Sequence, residues 1–418
     1  MRCLSPGCIM EEWISMMKKE WKNVLDYVEK LELESKFPPK EPLPFSWMDI
    51  GPGYCYGPAF GHWDSVHIAL DLLERDPEQA KNQISNLISV QWDNGMFPSM
   101  VWMKKETPVD WGKEQTHPPV WVIAAQQVYE KYPDEKWLRQ CENALSRQIK
   151  WFEENRKAGE GFFYTDIKNH LWESGVDEGI RFYDVPQGEK ACIDATAHLF
   201  LLYKYLEKWR RQLHITVGDA TEKKEKIQQY ICSMLYRPRK KFFYDSWAMD
   251  NPSFGHLTFE GFWPIIVGAA TEYQAEQIIT YHLMNEKEFF TVHPVPTVAI
   301  SDRMYEKRMW RGPAWNSMTM WIAFGCMQYG KYKEAGQILE RAMDATAKVY
   351  EETGKIWEFY DSLGGSPKQM QRKPQTEFNT PCYDYLGHSP LHYMEYLWEI
   401  CKKKEKEQVE KNIKTSIV

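Results

Sequence analysis

The chain has 418 residues, a formal net charge of −7, 43% hydrophobic, 27% charged and 15% aromatic residues, the proportions of a globular protein with a large core. The acidic balance, with no basic block among aromatics in the body of the chain, excludes nucleic acid as an expected partner, and the longest apolar run, Phe262–Ala270, is too short to span a bilayer. Nine cysteines without CxxC pairs, and a start lacking the apolar stretch of a signal peptide, fit reduced thiols in a cytoplasmic protein.

In chain order, residues 1–9 read as an extension and helical signal sets in at Met10, with a one-sided helix expected over 10–33. A buried helix begins near Trp63. Asp76 as N-cap, Pro77 in the first turn and Gln79 after it open a second one-sided helix over 76–91, whose apolar face is Ala80, Ile84, Leu87 and Ile88. The pattern then alternates. Pro118–Tyr129, Ala191–Tyr203, Gly261–Ala270, Pro313–Met327 and a segment from Ser389 carry little charge on any face. The stretches 134–156, 218–236, 272–284 and 331–351 are one-sided, as in Trp137, Cys141, Leu145, Ile149 and Phe152 of the first or Ala335, Ile338, Leu339 and Ala342 of the last. A helix apolar all round is buried all round. Six inner and six outer helices predict an all-α fold, an (α/α)6 toroid, as one domain over 10–404 with a charged tail over 405–418.

The outer-to-inner connections are long (92–117, 157–189, 237–256, 285–312 and 352–388) and fall at one mouth of the toroid. Long loops of little regular structure are usually functional. Two of them carry acidic motifs about 180 residues apart. One is Trp172-Glu173-Ser174-Gly175-Val176-Asp177, continuing through Arg181-Phe182-Tyr183-Asp184. The other is Ile356-Trp357-Glu358-Phe359-Tyr360-Asp361, preceded by Trp310-Arg311-Gly312-Pro313-Ala314-Trp315. Aromatic faces stack on the C–H faces of sugars, and carboxylates bind hydroxyls and move protons. A pair of carboxyl groups flanking a glycosidic bond is the minimum equipment for hydrolysing it.

The motifs Gly61-His62-Trp63-Asp64, Gln91-Trp92-Asp93-Asn94-Gly95-Met96-Phe97-Pro98 and Thr116-His117-Pro118-Pro119, followed in order by the two acidic motifs, resemble glycoside hydrolase family 63. The resemblance is closest to its bacterial mannosylglycerate and glucosylglycerate hydrolase-like branch and spans about residues 60–400. It implies an inverting hydrolase with Asp177 as general acid and Glu358 as general base. An inverting pair stands about 6.5–9.5 Å apart to admit a water. The chain departs from the family pattern at Glu178-Gly179-Ile180, where relatives carry Asn-Pro, at Tyr385-Leu386-Gly387-His388-Ser389, and in the long segment 362–385.

Substrate contacts are expected from Asp64, Trp63, Gln91, Trp92 and Asn94 around the glycone, with Glu173 beside the acid as a like charge that would keep it protonated. Asp64 competes with an N-cap role, and Asn94-Gly95 is also a good turn. Trp315 and Trp357 are expected as stacking platforms, with core packing as the competing reading. Arg311 orients a carboxylate or binds substrate. Arg181, Lys368, Arg372 and Lys373 are candidates for a charged aglycone, against a solvated surface. The expected partner is a small carbohydrate, with no cofactor and no metal; no spacing such as HExxH, Walker loop or GxSxG is present. Two other readings stay open: a sugar epimerase on the same toroid, which would use His62 and His117 at inner-helix heads, and a non-catalytic helical scaffold.

Overall fold

The computed structural model describes residues 18–416 except 104–109, 112–114, 170, 171, 184, 186 and 187. The expectations for 1–9, for the helix start at Met10 and for Asp184 therefore lie outside the described residues. The fold is all-α, and the strands among the described residues form only two- and three-stranded sheets.

The outer helices are α1 (Lys22–Glu34), α3 (Pro77–Ser89), α5 (Glu135–Asn155), α7 (Ala220–Met234), α9 (Glu272–Ile278) and α11 (Tyr332–Thr353). Between them run α2 (His62–Leu72), α4 (Trp121–Lys131), α6 (Ile193–Gln212), α8 (Trp263–Ile266), α10 (Asn316–Gln328) and α12 (Leu391–Ser416). Every residue of α2 is buried, as are Ile193–Tyr203 of α6 and Asn316–Ala323 of α10. In α5 only one face is: Trp137, Leu138, Cys141, Ala144, Leu145, Gln148, Ile149, Trp151 and Phe152. Inner helices pack in sequence, α2 on α4, α6 on α8, α8 on α10, α10 on α12, and α12 back on α2. The α4–α6 step is joined by Trp209 Nε1, which donates to Gln126 Oε1 at 2.7 Å. The chain thus closes on itself.

Local chemistry sets the ends. Asp76 caps α3 by accepting from the Gln79 backbone N–H at 3.1 Å, with Pro77 in the first turn. Thr271 and Gln274 make a capping box on α9. α8 is shorter than the apolar run predicts. A 3-10 turn, Phe259–Phe262, precedes it, and Gly268 at φ +76° ends the run. α9 finishes in a π-helical turn, Ile279–Leu283. α12 continues as one helix past residue 404 to Ser416, so the charged stretch over 405–416 is helical.

After α5 and α7 the chain makes a short antiparallel hairpin, pairing Lys157–Ala158 with Gly161–Phe162 and Tyr236–Arg237 with Phe242–Phe243. After α11 no hairpin is completed; Tyr360 instead bridges Ala314, and Trp357 bridges Tyr383. That extended segment carries Glu358.

Candidate active site

The Asp177 loop is held at four points. Glu173 is fully buried, and its carboxylate is clamped by Arg156, Nε to Oε2 and Nη2 to Oε1, each at 2.8 Å. The backbone N–H groups of Thr116 and Thr165 donate to the same carboxylate at 3.2 and 2.7 Å. Ser174 donates its hydroxyl and its N–H to Asp166 at 2.7 and 2.9 Å. Gly175, at φ +75°, lies against the Trp63 ring, so that a Cβ there would stand 2.5 Å from it. Arg181 is buried and paired with Asp194 at 2.6 Å, Asp245 at 2.7 Å and Glu260 at 3.0 Å.

These contacts reassign two expected residues. Both Glu173 oxygens are occupied by Arg156 and main-chain donors, so Glu173 anchors the loop that carries Asp177. Arg181 is consumed by three carboxylates and has no capacity left for a charged aglycone. Burial pushes Asp245 up to about 7, against the pull of Arg181. Cys192, Asp194 and Asp245 have the chemistry of a metal-ligand group, but that cluster already holds a cation, the guanidinium.

Glu358 is 2% exposed. Its carboxylate accepts from Arg372, Nε to Oε2 at 2.8 Å and Nη2 to Oε1 at 3.0 Å, and from the Cys382 backbone N–H at 3.1 Å. Asp177 meets the next residue of the chain: Lys373 Nζ donates to Asp177 Oδ2 at 3.0 Å. A single dipeptide, Arg372-Lys373, therefore reaches both carboxylates. Backbone bonds hold that dipeptide in place. Gln371 N donates to Lys307 O at 3.2 Å, Met309 N to Gln371 O at 3.1 Å and Arg372 N to Asn379 O at 3.0 Å. Tyr56 lies under both cations and hydrogen-bonds Arg372 Nη1 at 3.2 Å. Burial opposes charge on Arg372 and Lys373. The carboxylates more than offset it, raising each above its usual value, Glu358 acting on Arg372 and Asp177 on Lys373.

Asp64 stands in the first turn of α2, 1% exposed, between two glycines. A Cβ on Gly61 would fall 2.3 Å from its Oδ2, and one on Gly387 2.4 Å from its Oδ1. Tyr385 donates its hydroxyl to Oδ1 at 2.6 Å. Burial pushes Asp64 up to about 7 despite that bond, and the charges of Glu358 and Asp177 add to the rise. Asp64 thus shares the electrostatic neighbourhood of both other carboxylates.

Other expected contacts are placed differently. Trp315, 2% exposed, stacks on Trp310 with centroids 3.8 Å apart and packs on Phe359 and His388. Trp357, 3% exposed, donates to Thr353 and meets Tyr383 edge-on. Protein rings, not open space, surround both. Trp63 is buried against Trp310 and His117, bracing the helix head that carries Asp64. Gln91 donates to Gly95 O and to Ala144 O of α5, and Asn94 accepts from Met96 N, so these two build the turn onto the outer helix. Trp92 is partly buried against the core. Arg311 donates to Glu178 O at 2.9 Å and pairs with Glu306 at 3.1 Å, tying the segment after Asp177 to the head of α10. His62 is buried and His117 partly buried, and desolvation holds both below the usual histidine value, His117 at about 4.

The sequence model described as the mannosylglycerate hydrolase MGH1-like glycoside hydrolase domain matches residues 58–379. The chain belongs to this family. It is a glycoside hydrolase. Among relatives of the MGH1-like enzyme, mannosylglycerate hydrolase MGH1 of Selaginella moellendorffii is 23% identical, covering 73% of this chain and 75% of the relative. A mannosylglycerate hydrolase of Thermus thermophilus is 23% identical over 72% of this chain and 88% of its own length. The fold is that of a family 63 mannosylglycerate hydrolase from Thermus thermophilus in complex with glucose, with a TM-score of 0.69 at 17% identity over 88% of this chain and 98% of that one. The structure of that hydrolase in complex with Tris and D-glycerate superposes with a TM-score of 0.69 at 18% identity, over 89% and 98% of the two chains.

The motif order recovered the family. Sequence reasoning missed Arg156, whose clamp on Glu173 spans 17 residues, and the bond from Tyr385 to Asp64 across 321. It weighed Arg372 and Lys373 as aglycone ligands or solvated surface, not as partners of the two carboxylates. The cue that was available is their position in the unusually long 362–385 segment.

Proposed function

We propose that this MGH1-like enzyme hydrolyses a small α-glycoside of glycerate by inversion, with Asp177 as general acid, Glu358 as general base and Asp64 holding the glycone. The observation that carries this reading is the Arg372-Lys373 dipeptide, whose neighbouring side chains touch Glu358 and Asp177 from two different loops. Carboxylates so gathered can work on opposite sides of one bond. In the reaction, protonated Asp177 gives its proton to the leaving oxygen while Glu358 takes a proton from the attacking water. Asp64 accepts hydrogen bonds from glycone hydroxyls. The names of the relatives, mannosylglycerate hydrolases, support glycerate as the aglycone.

The test is turnover of mannosylglycerate and glucosylglycerate, beside trehalose and short α-glucans as neutral comparisons. Asp177→Asn and Glu358→Gln are expected to lower kcat by at least about 10³-fold, a general acid or base typically contributing 10²–10⁴-fold. Full activity in either variant removes that residue from the mechanism. Proton NMR in the first minutes of the reaction is expected to show β-sugar from the α-linked substrate, because a single displacement inverts the anomeric carbon. Initial α-sugar would demote Glu358 from base.

A further inference from the structure

The two cation–carboxylate pairs at the site differ in construction. Glu358 is held on both oxygens, by two nitrogens of Arg372 and by the Cys382 N–H, and Arg372 is itself fixed through Tyr56 and Asn379. Several bonds at once hold this pair. Asp177 is touched by Lys373 through one oxygen at 3.0 Å, and its side chain keeps 20% of its surface open. Lysine is a point charge on a flexible four-carbon stem, able to change partners where a bidentate arginine is not. The ammonium sits over the Trp172 ring at 5.0 Å and the Tyr56 ring at 5.6 Å, in an aromatic niche that tolerates a cation through the ring quadrupoles.

A general acid must present a proton to the leaving oxygen, whereas Asp177 Oδ2 here accepts a hydrogen bond from the Lys373 ammonium. The pair has to open before the acid can work. Lys373 is 9% exposed, and a buried ammonium stripped of its partner is costly. Opening is therefore favourable only when another anion takes the place of Asp177.

We propose that the carboxylate of an anionic aglycone is that anion: it captures Lys373, releases Asp177 to take up a proton, and so makes activation of the acid depend on the charge of the leaving group. The inference rests on Asp177 being the acid. The proton balance closes. Asp177 gains a proton from solvent as Lys373 moves to the aglycone carboxylate, then delivers it to the glycosidic oxygen as the C–O bond breaks. Glu358 takes a proton from the attacking water and returns it to solvent. When the anionic product leaves, Lys373 falls back on Asp177. A glycoside with an uncharged aglycone of the same shape binds but leaves the acid paired.

The experiment compares 2-O-α-mannosylglycerate with 2-O-α-mannosylglycerol, and the two glucosyl counterparts, in which CH₂OH replaces the carboxylate. In the wild type kcat/KM is expected to favour the glycerate member by about 100-fold or more, the scale of a desolvated charge pair. Lys373→Met should shrink that preference to within about tenfold, by loss on the glycerate member. Lys373→Arg, which keeps the charge, should retain most of the preference. Isothermal titration with D-glycerate should show binding to wild type and its loss in Lys373→Met. Equal turnover of glycerate and glycerol members by wild type overturns the exchange without any variant being needed, as does an unchanged preference in Lys373→Met. Failure of the underlying reading has a different signature: Asp177→Asn active on either member, or no member of the set hydrolysed.

Discussion

A methyl group added to Gly387 would sit 2.4 Å from Asp64 Oδ1, and one added to Gly175 would sit 2.5 Å from the Trp63 ring. Gly387→Ala should therefore displace Asp64 and raise KM by about tenfold or more at little change in kcat, with an overpacking cost of roughly 1–3 kcal/mol in thermal unfolding. Gly175→Ala adds a strained positive φ to the clash and acts on the Asp177 loop, so its loss should fall on kcat. Asp64 also carries a pH prediction. Burial places it at about 7 in the free enzyme, and sugar hydroxyls donate to its charged form. Binding therefore selects the carboxylate, kcat/KM should fall about tenfold per unit below pH 7, and titration in buffers of differing ionisation enthalpy should show proton release on binding. The stability sign is opposite. A carboxyl whose folded value is raised above the unfolded one, about 3.9, favours folding most at low pH, and that contribution is lost as pH rises through 7. Asp361 supplies the contrast at this scale. Its carboxylate is engaged by Lys307 at 2.8 Å and by the Leu363 N–H at 2.9 Å, so Asp361→Asn should cost stability and leave most of the turnover measured for wild type.

At the scale of elements, outer helices supply core area while their loops supply chemistry, and the two separate on mutation. Leu339 of α11 is fully buried on a face remote in role from the carboxylates; Leu339→Ala should cost about 2–5 kcal/mol in denaturant unfolding with kcat unchanged in the folded fraction. Elements of this kind were legible in the sequence because periodicity is local. Asp76, Pro77 and Gln79 announced α3 within four residues, and Trp137, Cys141, Leu145, Ile149 and Phe152 announced the buried face of α5. The shortening of α8 was signalled by Pro264 and Gly268 but masked by the apolar run around them. Positions joined across the ring were not legible. Whether Trp315 offers a face to a sugar depends on Trp310 having covered it, and whether Glu173 is free depends on Arg156. Neither contact leaves a trace in spacing. The motifs located the carboxylates, while the cations that govern them, 14 residues from Glu358 and 196 from Asp177, had to be seen in place.

Across the whole molecule, α1 packs on α11 and α12, and carboxylates of α11, Glu340 and Asp344 among them, stitch the seam. Glu340 of α11 pairs with Lys18 at 2.6 Å and with Lys402 at 3.0 Å, while Trp21 and Trp398 meet edge to face with centroids 4.9 Å apart. The seam buries two tryptophans, and Trp398→Ala should cost about 3–5 kcal/mol in thermal unfolding, far more than Glu340→Gln, whose lysine partners are partly exposed. The first and last parts of the described chain thus lie side by side, and the order in which the hairpins are threaded has no counterpart in the finished ring. The molecule is a circle with an arbitrary cut. A circular permutant that opens the exposed turn at 214–218 and joins Lys402 to Lys18, which share Glu340, by a short flexible linker should fold and hydrolyse its substrate at near wild-type kcat. The carboxylates of the site would then be encoded in rotated order, Glu358 ahead of Asp64 and Asp177, with their geometry in the ring unchanged.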